Sequence, residues 1–376
     1  MDINYNILKQ YIDAKKINFL SIQNYDNFKL SIIDEYIKTH NIDDKTSIYQ
    51  VKTIITSILD ADKTEQYRLE RINNQLDILM KLELPKQRSK EWYELRKKVL
   101  TASSLASALG KDHFKTKYEL IEDKLIQKPF IMNEITEHGV KYEDIATQYY
   151  EHLYNVTILE FGLIPHPDFP IFGASPDGIC SKDSPSSYIG RMLEIKCPPK
   201  RKFTKSVPEH YKYQILGQLE CCDLDECDFF QVKIVDYKSF EEYTNDTNDS
   251  VGYTNKQYPK GCIIDYLNND RHEYLYPGLF KSDDELHEWI NNKTEWINEQ
   301  GYTFVKVNWW KIERYECTLV KRDKLLWSKT IDNIIIFYNE LMYYKDHLSE
   351  LKEKLPKNKR NIIYINNIQN ETKCLI

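Results

Sequence analysis

The segment Met192-Leu193-Glu194-Ile195-Lys196-Cys197 constrains this chain more than any other. It is short, largely apolar and follows a polar stretch, so it is predicted to be a β-strand. Side chains alternate across a strand, which sets Met192, Glu194 and Lys196 on one face and Leu193, Ile195 and Cys197 on the other. The apolar face must pack inward. A carboxylate and an ammonium then stand side by side in an apolar segment, where an unpaired charge is costly. Upstream, Gly173-Ala174-Ser175-Pro176-Asp177-Gly178 closes another apolar run at a turn. If the two runs pair as a hairpin across Ser181 to Gly190, Asp177 comes close to Glu194.

Two carboxylates and a lysine so placed suit phosphodiester hydrolysis. That reaction needs charge neutralised on the scissile phosphate and a water made nucleophilic near neutral pH. A hard divalent cation does both and takes oxygen ligands, typically one or two carboxylates plus waters. Asp177 and Glu194 are the candidate ligands, with the carbonyl of Ile195 as a third. Lys196 can hold or polarise the attacking water, and its role as acid or base stays open. Glu143 shares a helix face with Val140, Ala146 and Tyr150 by three- and four-residue spacing. An acid there is costly unless paired or metal-bound. The blander possibilities are a half-exposed helix-edge glutamate at 143 and a surface ion pair between Glu194 and Lys196.

The flanking sequence predicts an α/β core. Residues 1–84 read as a helical N-terminal extension with apolar stripes at Ile54, Ile55, Ile58 and Leu59 and at Leu69, Ile72, Leu76, Ile78 and Leu79. Leu84-Pro85 marks a boundary. Residues 85–350 are expected to form the main domain and 351–376 a charged, Asn-rich tail. Helix starts are predicted at Ser89 and Thr101, and helices over Gly139–Tyr154, Glu209–Cys222, Asp283–Glu299 and Ile331–Leu351. Strands are predicted over Val156–Phe161, Ile171–Ala174, Met192–Cys197, Phe229–Val235, Gly261–Tyr266 and Tyr302–Val307, with a polar loop over Glu241–Asn255. Helices alternating with strands indicate a mixed sheet flanked by helices.

Four blocks, in order, carry a resemblance to a known family. They are Trp92-Tyr93-Glu94-Leu95-Arg96 with Thr101-Ala102-Ser103; His138-Gly139-Val140-Lys141-Tyr142-Glu143; Ser175-Pro176-Asp177-Gly178 with Leu193-Glu194-Ile195-Lys196-Cys197-Pro198; and Tyr213-Gln214-Ile215-Leu216-Gly217-Gln218. Together they resemble the YqaJ-type viral recombinases, which include phage lambda exonuclease, within the PD-(D/E)XK nuclease superfamily. The resemblance covers about Ser89 to Tyr237. It implies a restriction-endonuclease-like α/β (α+β) core and a nuclease that uses Mg2+ or Mn2+, commonly two ions, to digest one strand of duplex DNA from a 5′ end. By the same resemblance, Asp177 and Glu194 bind metal, Glu143 supports a second ion, and Lys196 acts on the nucleophile. Gln214 orients active-site groups, Gln218 less securely, and Arg96 with Ser103 grips a 5′ phosphate. Arg matches phosphate oxygens with its planar fork. The family also implies a single-strand annealing protein as partner and work in viral recombination, repair or genome processing. The N-terminal extension and the long C-terminal region depart from the phage pattern, so the family's ring-shaped trimer is not implied, although a homo-oligomer stays open.

Totals set the remaining bounds. The 376 residues carry a formal net charge of −6, and no basic excess points to nucleic acid, so DNA contact must come from local charge. Lys86, Arg88, Lys90, Arg96, Lys97 and Lys98 precede the first block, and Lys200, Arg201, Lys202 and Lys205 follow the strand. Either cluster could neutralise phosphates or be an ordinary solvated face. There is no signal-like start and no run near the ~18 apolar residues of a membrane helix. The expectation is a soluble, intracellular protein, in host cytoplasm or viral factory if viral, or packaged in a virion. Eight cysteines without a C-x-x-C pair are expected to be reduced, incidental thiols. No Cys precedes Cys180, which argues against an iron–sulfur repair nuclease. A site- or structure-specific endonuclease would carry the same motifs, as would a non-catalytic DNA-binding protein on a nuclease fold.

Overall fold

The computed structural model describes residues 5–13, 22–60, 65–126, 134–200, 203 and 206–356. Helices α1 (Tyr5–Asp13), α2 (Ile22–Thr39), α3 (Lys45–Asp60) and α4 (Glu65–Met80) come first. Then follow α5 (Lys90–Lys98), β1 (Leu100–Thr101), a 3-10 turn (Ala102–Ser104), α6 (Leu105–Ala108), α7 (Lys117–Leu125) and α8 (Glu134–Tyr154). The strands β2 (Ile158–Leu159), β3 (Ile164–Pro165), β4 (Phe172–Ala174), β5 (Gly178–Cys180) and β6 (Met192–Lys196) lead to α9 (Glu209–Cys222) and β7 (Glu226–Asp236). The chain continues through α10 (Phe240–Asn245), β8 (Lys260–Asn268), β9 (Arg271–Leu275), α11 (Asp283–Glu299), β10 (Thr303–Lys321), α12 (Lys324–Asp346) and α13 (Leu348–Lys354).

A mixed seven-stranded sheet of order β2-β5-β6-β7-β10-β8-β9 forms the centre, and β1-β4-β3 form a small second sheet. Strand β6 runs parallel to β7, and the other neighbours in the large sheet are antiparallel. Each strand sends alternate residues to opposite sides. On one side Met192, Cys227 and Phe229 pack under α9 and α12, with Ile215, Leu219, Trp327 and Ile331. On the other side Leu193, Ile195, Phe230 and Val232 pack under α8, with Tyr142, Ile145 and Tyr149. Both faces of β6 are therefore covered. A single inward face was too simple, because a strand in parallel pairing at the middle of a sheet is closed in from both sides.

Helix α9 sits close against β4 of the small sheet and the 3-10 turn because Gly217 has no side chain. A Cβ there would lie 2.6 Å from the Phe172 ring and 3.2 Å from Ala102 Cβ. Its far end closes at Asp223, in the left-handed region at φ 49°. Arg322 then pins that end, donating to Glu220 at 2.7 and 2.5 Å and to Asp223 at 2.5 Å. The N-terminal helices take part in the same core. Tyr49 of α3 and Ile72, Leu76 and Leu79 of α4 join the cluster beneath α9, across the boundary expected at Leu84-Pro85. The Tyr49 hydroxyl accepts from Trp327 Nε1 at 2.5 Å and lies 3.1 Å from His166 Nε2. A separate cluster, from Leu8 to Leu59, holds α1, α2 and α3 together.

Several elements differ from expectation. Strand β10 runs from Thr303 to Lys321 rather than ending at Val307, because it pairs with β8 along its first half and with β7 along its second. Helix α12 starts at Lys324, where the Asp323 carboxylate accepts the Leu326 N–H at 2.8 Å. The run Val156–Phe161 keeps only β2 as strand, and Phe240–Asn245 is a short helix within the expected loop. Helix α7 and strand β9 were not foreseen, although Thr116 and Glu119 form a complete capping box. Among the described residues the cysteines are free, and all but Cys317 are buried. Among the described residues no helix is long and apolar enough to cross a membrane.

Candidate active site

The hairpin between β5 and β6 pairs Gly178 with Leu193 and Ile179 with Met192. Extending that register one step places Asp177 opposite Glu194. Asp177 Oδ2 accepts the backbone N–H of Ile195 at 2.6 Å. Glu194 is 0% exposed, which rules out the surface ion pair. Its carboxylate accepts three hydrogen bonds, which leaves one of its roughly four acceptor sites open: Lys196 Nζ and Gln214 Nε2 donate to Oε1, the latter at 2.7 Å, and Gln218 Nε2 donates to Oε2 at 2.6 Å. Gln214 and Gln218 are one helical turn apart on α9, so both amides reach the same strand residue. Sequence spacing and burial thus converge on one carboxylate.

The Ser175-Pro176-Asp177 loop is clamped from outside. Gln87 Nε2 donates to the Pro176 carbonyl at 3.0 Å, Trp92 Nε1 to Ser175 Oγ at 3.0 Å, and Gln218 Nε2 to the Ser175 carbonyl at 3.3 Å. The Trp92 indole was visible in the sequence only as part of a motif, and Gln87 gave no signal at all. The Ser89 side chain accepts the Trp92 N–H at 3.2 Å and so caps α5, as its sequence predicts. Arg88, just before that cap, adopts φ 65° and ion-pairs with Glu143 at 2.6 Å. Glu143 is about one-third exposed. Nothing in the residue type Arg advertises a left-handed backbone, so that pairing was not legible.

The electrostatics bind these groups into one unit. Burial pushes the Asp177 carboxyl well above its ordinary range, and Glu194 and Glu143 push it further. Burial also raises Glu143, against the pull of Arg88 and Lys196. Burial works to lower the Lys196 ammonium, yet Glu194 and Asp177 outweigh it and hold the group above its usual value. Lys196 Nζ also lies 5.2 Å from the centre of the Tyr211 ring.

A divalent cation fits this donor set in kind. Among the described residues no three His, Cys, Asp or Glu side chains form a ready-made metal cage. The convergent oxygens come from Asp177 and Glu194, and Mg2+ is commonly held by one or two carboxylates while keeping several waters. Gln218 Oε1 is buried without a hydrogen-bond partner among the described residues, an acceptor left for water or for a cation's hydration shell. The raised pKa of the Asp177 carboxyl points the same way. Glu143 differs, since Arg88 already occupies it.

A second group lies beside the first. Arg96 Nη2 donates to Ser103 Oγ at 3.1 Å, and the guanidinium stacks 4.3 Å over the Trp92 ring. Burial lowers the Arg96 pKa, while Tyr93 and Asp177 work to raise it. Ser103 is exposed in the middle of a 3-10 turn; the Thr101 hydroxyl lies 3.2 Å from those of Ser103 and Ser104 but caps no backbone N–H, so the helix start expected there is only a turn and four residues of α6. Lys124 was not foreseen. Its ammonium donates to the Val99 carbonyl at 2.6 Å and to the Arg96 carbonyl at 3.3 Å. Burial, with the charges of Arg96 and Lys115, brings its pKa down to about 8. Lys98 and Lys200 are exposed. Lys97 pairs with Glu94 at 2.8 Å, while Arg201, Lys202 and Lys205 lie outside the described residues.

The chain thus has an α/β fold with a mixed sheet between helices, and its β5–β6 hairpin carries an acid pair with a lysine. Residues 91–225 match the family model of the YqaJ-like viral recombinase domain. It is similar to an uncharacterized protein of Acanthamoeba polyphaga mimivirus, 30% identical over 92% of this chain and 65% of the relative. It is also similar to a protein of African swine fever virus (strain Badajoz), 26% identical over 36% of this chain and 46% of that protein. The chain thus spans less than two thirds of the length of either relative. Among solved structures, the alkaline exonuclease LHK-Exo of Laribacter hongkongensis overlays 71% of this chain and 100% of its own, with 22% identity and a TM-score of 0.41. A phage-related exonuclease from Haemophilus somnus gives 14% identity, 67% and 96% coverage and a TM-score of 0.35.

Proposed function

We propose that this protein is a divalent-cation-dependent deoxyribonuclease that removes nucleotides from the 5′ ends of duplex DNA during viral DNA recombination or genome processing. The observation that carries this reading is the single unit made by Asp177, Glu194 and Lys196 with the two α9 glutamines. A structural ion pair needs no second carboxylate beside it whose pKa is raised by burial and by Glu194. The YqaJ-like domain supports the recombination setting. Mg2+ or Mn2+, when bound, supplies charge neutralisation at the phosphate and a water acidic enough to attack it. Asp177 and Glu194 would hold it, with the Ile195 carbonyl within reach of the same hairpin. Gln214 and Gln218 fix the Glu194 carboxylate in one orientation, and Lys196 places a positive charge beside the scissile phosphate. A second ion at Glu143 requires Arg88 to let go of that carboxylate.

End-labelled linear duplex DNA with Mg2+ is the direct test. Release of labelled nucleotides from 5′ ends is expected, with covalently closed circular DNA left intact. Cutting of the closed circle would replace this reading with an endonuclease, and binding without cutting would replace it with a DNA-binding protein. The Arg96–Ser103 pair supports the choice of 5′ ends. Arg96→Ala is expected to reduce the rate preference for 5′-phosphorylated over 5′-hydroxyl ends about tenfold, the size of one charge-assisted bond. An unchanged preference would remove Arg96 from that role.

A further inference from the structure

Phe114 is 84% exposed, more than any other large hydrophobic side chain among the described residues. Isolated apolar residues at a surface are common and mean little by themselves. This one is held out by a pinned turn. Gly110 takes φ +66°, Lys111 N–H donates to the Ala106 carbonyl at 2.7 Å, and the Asp112 carboxylate accepts both Ser107 Oγ at 2.7 Å and the Phe114 N–H at 2.9 Å. The backbone therefore fixes the position from which the ring projects.

The ring also ends a series that begins at the acidic centre. Lys196 Nζ stands 5.2 Å from the Tyr211 ring. Tyr211 and His210 have ring centres 4.1 Å apart, and His210 meets Phe114 edge-on at 5.7 Å. Lys111, in the same turn, lies 3.7 Å from Glu209 in the first turn of α9. The turn is thereby joined to the helix that orients Glu194. We propose that Phe114 is a nucleobase-stacking residue, taking an unpaired base of the strand whose backbone lies at Lys196. Every base presents a π-face, so such a contact tolerates all sequences, as an enzyme that removes successive nucleotides needs. The proposal rests on DNA being the substrate of the Lys196 centre.

The test uses the full chain in EDTA, so that binding is read without cleavage. The probe is a 5′-phosphorylated duplex with a short unpaired 5′ overhang that carries 2-aminopurine. Wild-type protein and Phe114→Trp are expected to bind it and quench the fluorescence. Phe114→Ala is expected to bind about tenfold more weakly and to lose the quench, the scale found when a base-stacking ring is truncated. The ring is almost wholly in water, so this substitution removes no core packing. Equal affinity and equal quenching in Phe114→Ala would overturn the stacking assignment. If that happened while Lys196→Ala still abolished digestion with Mg2+, the nuclease reading would stand and only the stacking would fall. If wild-type protein bound no such duplex, both would fall.

Discussion

Lys196→Ala protein, given end-labelled duplex DNA and Mg2+, is expected to release nucleotides at least about 100- to 1,000-fold more slowly than wild type, the loss typical when one preorganised charge-stabilising group is removed. The reason lies in the local charge balance. Glu194, Asp177 and Glu143 place three acids around this one ammonium. Its pKa is held above the usual lysine value by Glu194 and Asp177 despite burial, so in the metal-free protein it stays charged at neutral pH. That favours charge stabilisation or proton donation over action as a base. Removing the ammonium leaves the buried Glu194 carboxylate with only two amides, which costs stability as well as activity. Lys196→Met separates the two effects, because it keeps an unbranched apolar side chain of similar reach without the charge. Both variants should be inactive, and Lys196→Met should show the smaller loss in Tm. Digestion at the wild-type rate by either variant would remove Lys196 from the chemistry.

The β5–β6 hairpin was legible because its rules are local. Strand alternation put Glu194 and Lys196 on one face, and the hairpin register brought Asp177 opposite. Gln214 and Gln218 came only from the family resemblance, and their four-residue step on α9 explains why both amides reach Glu194. What stayed hidden depends on distant pairing. The second covered face of β6 comes from its parallel partner β7, 35 residues on in register from Met192 to Cys227. The Arg88–Glu143 pair needs an arginine in a left-handed conformation, and the Gln87 clamp on Pro176 joins segments that no periodicity connects. The role of the N-terminal helices was also hidden. An amphipathic stripe reports that a helix buries one face, not which core receives it, and here Ile72 and Leu76 go beneath α9.

Asp177→Asn should divide activity from stability, with the two moving in opposite directions. The asparagine keeps the shape and an oxygen for the Ile195 N–H, but it forfeits the charge that would hold a cation. Nuclease activity is expected to drop about 100-fold or more. Metal-free stability is expected to rise. Burial and the neighbouring acids raise the folded-state pKa of Asp177 above its unfolded value, so the sign is fixed. Below the unfolded pKa, ~3.9, both states carry the proton and the site costs nothing. As pH climbs from there towards the folded pKa, the unfolded chain ionises first and the native state loses stability. At neutral pH Asp177 therefore burdens the fold in the absence of metal, and Asn removes that burden, lifting Tm by about 1 °C for each ~1 kcal/mol relieved in a chain of this length. Mn2+ or Mg2+ should reverse the ranking. A cation at 100 times its dissociation constant stabilises the protein that binds it by ~2.7 kcal/mol, and only wild type should respond. That response should fade as pH falls through the folded pKa of Asp177, where protons compete for the same oxygens. Thermal melts of both proteins, with and without the cation and at neutral and acidic pH, decide the matter. A cation-induced rise of equal size in Asp177→Asn would show that Asp177 is not a ligand, and a fall in its metal-free Tm would show that the carboxylate stabilises the fold instead of burdening it.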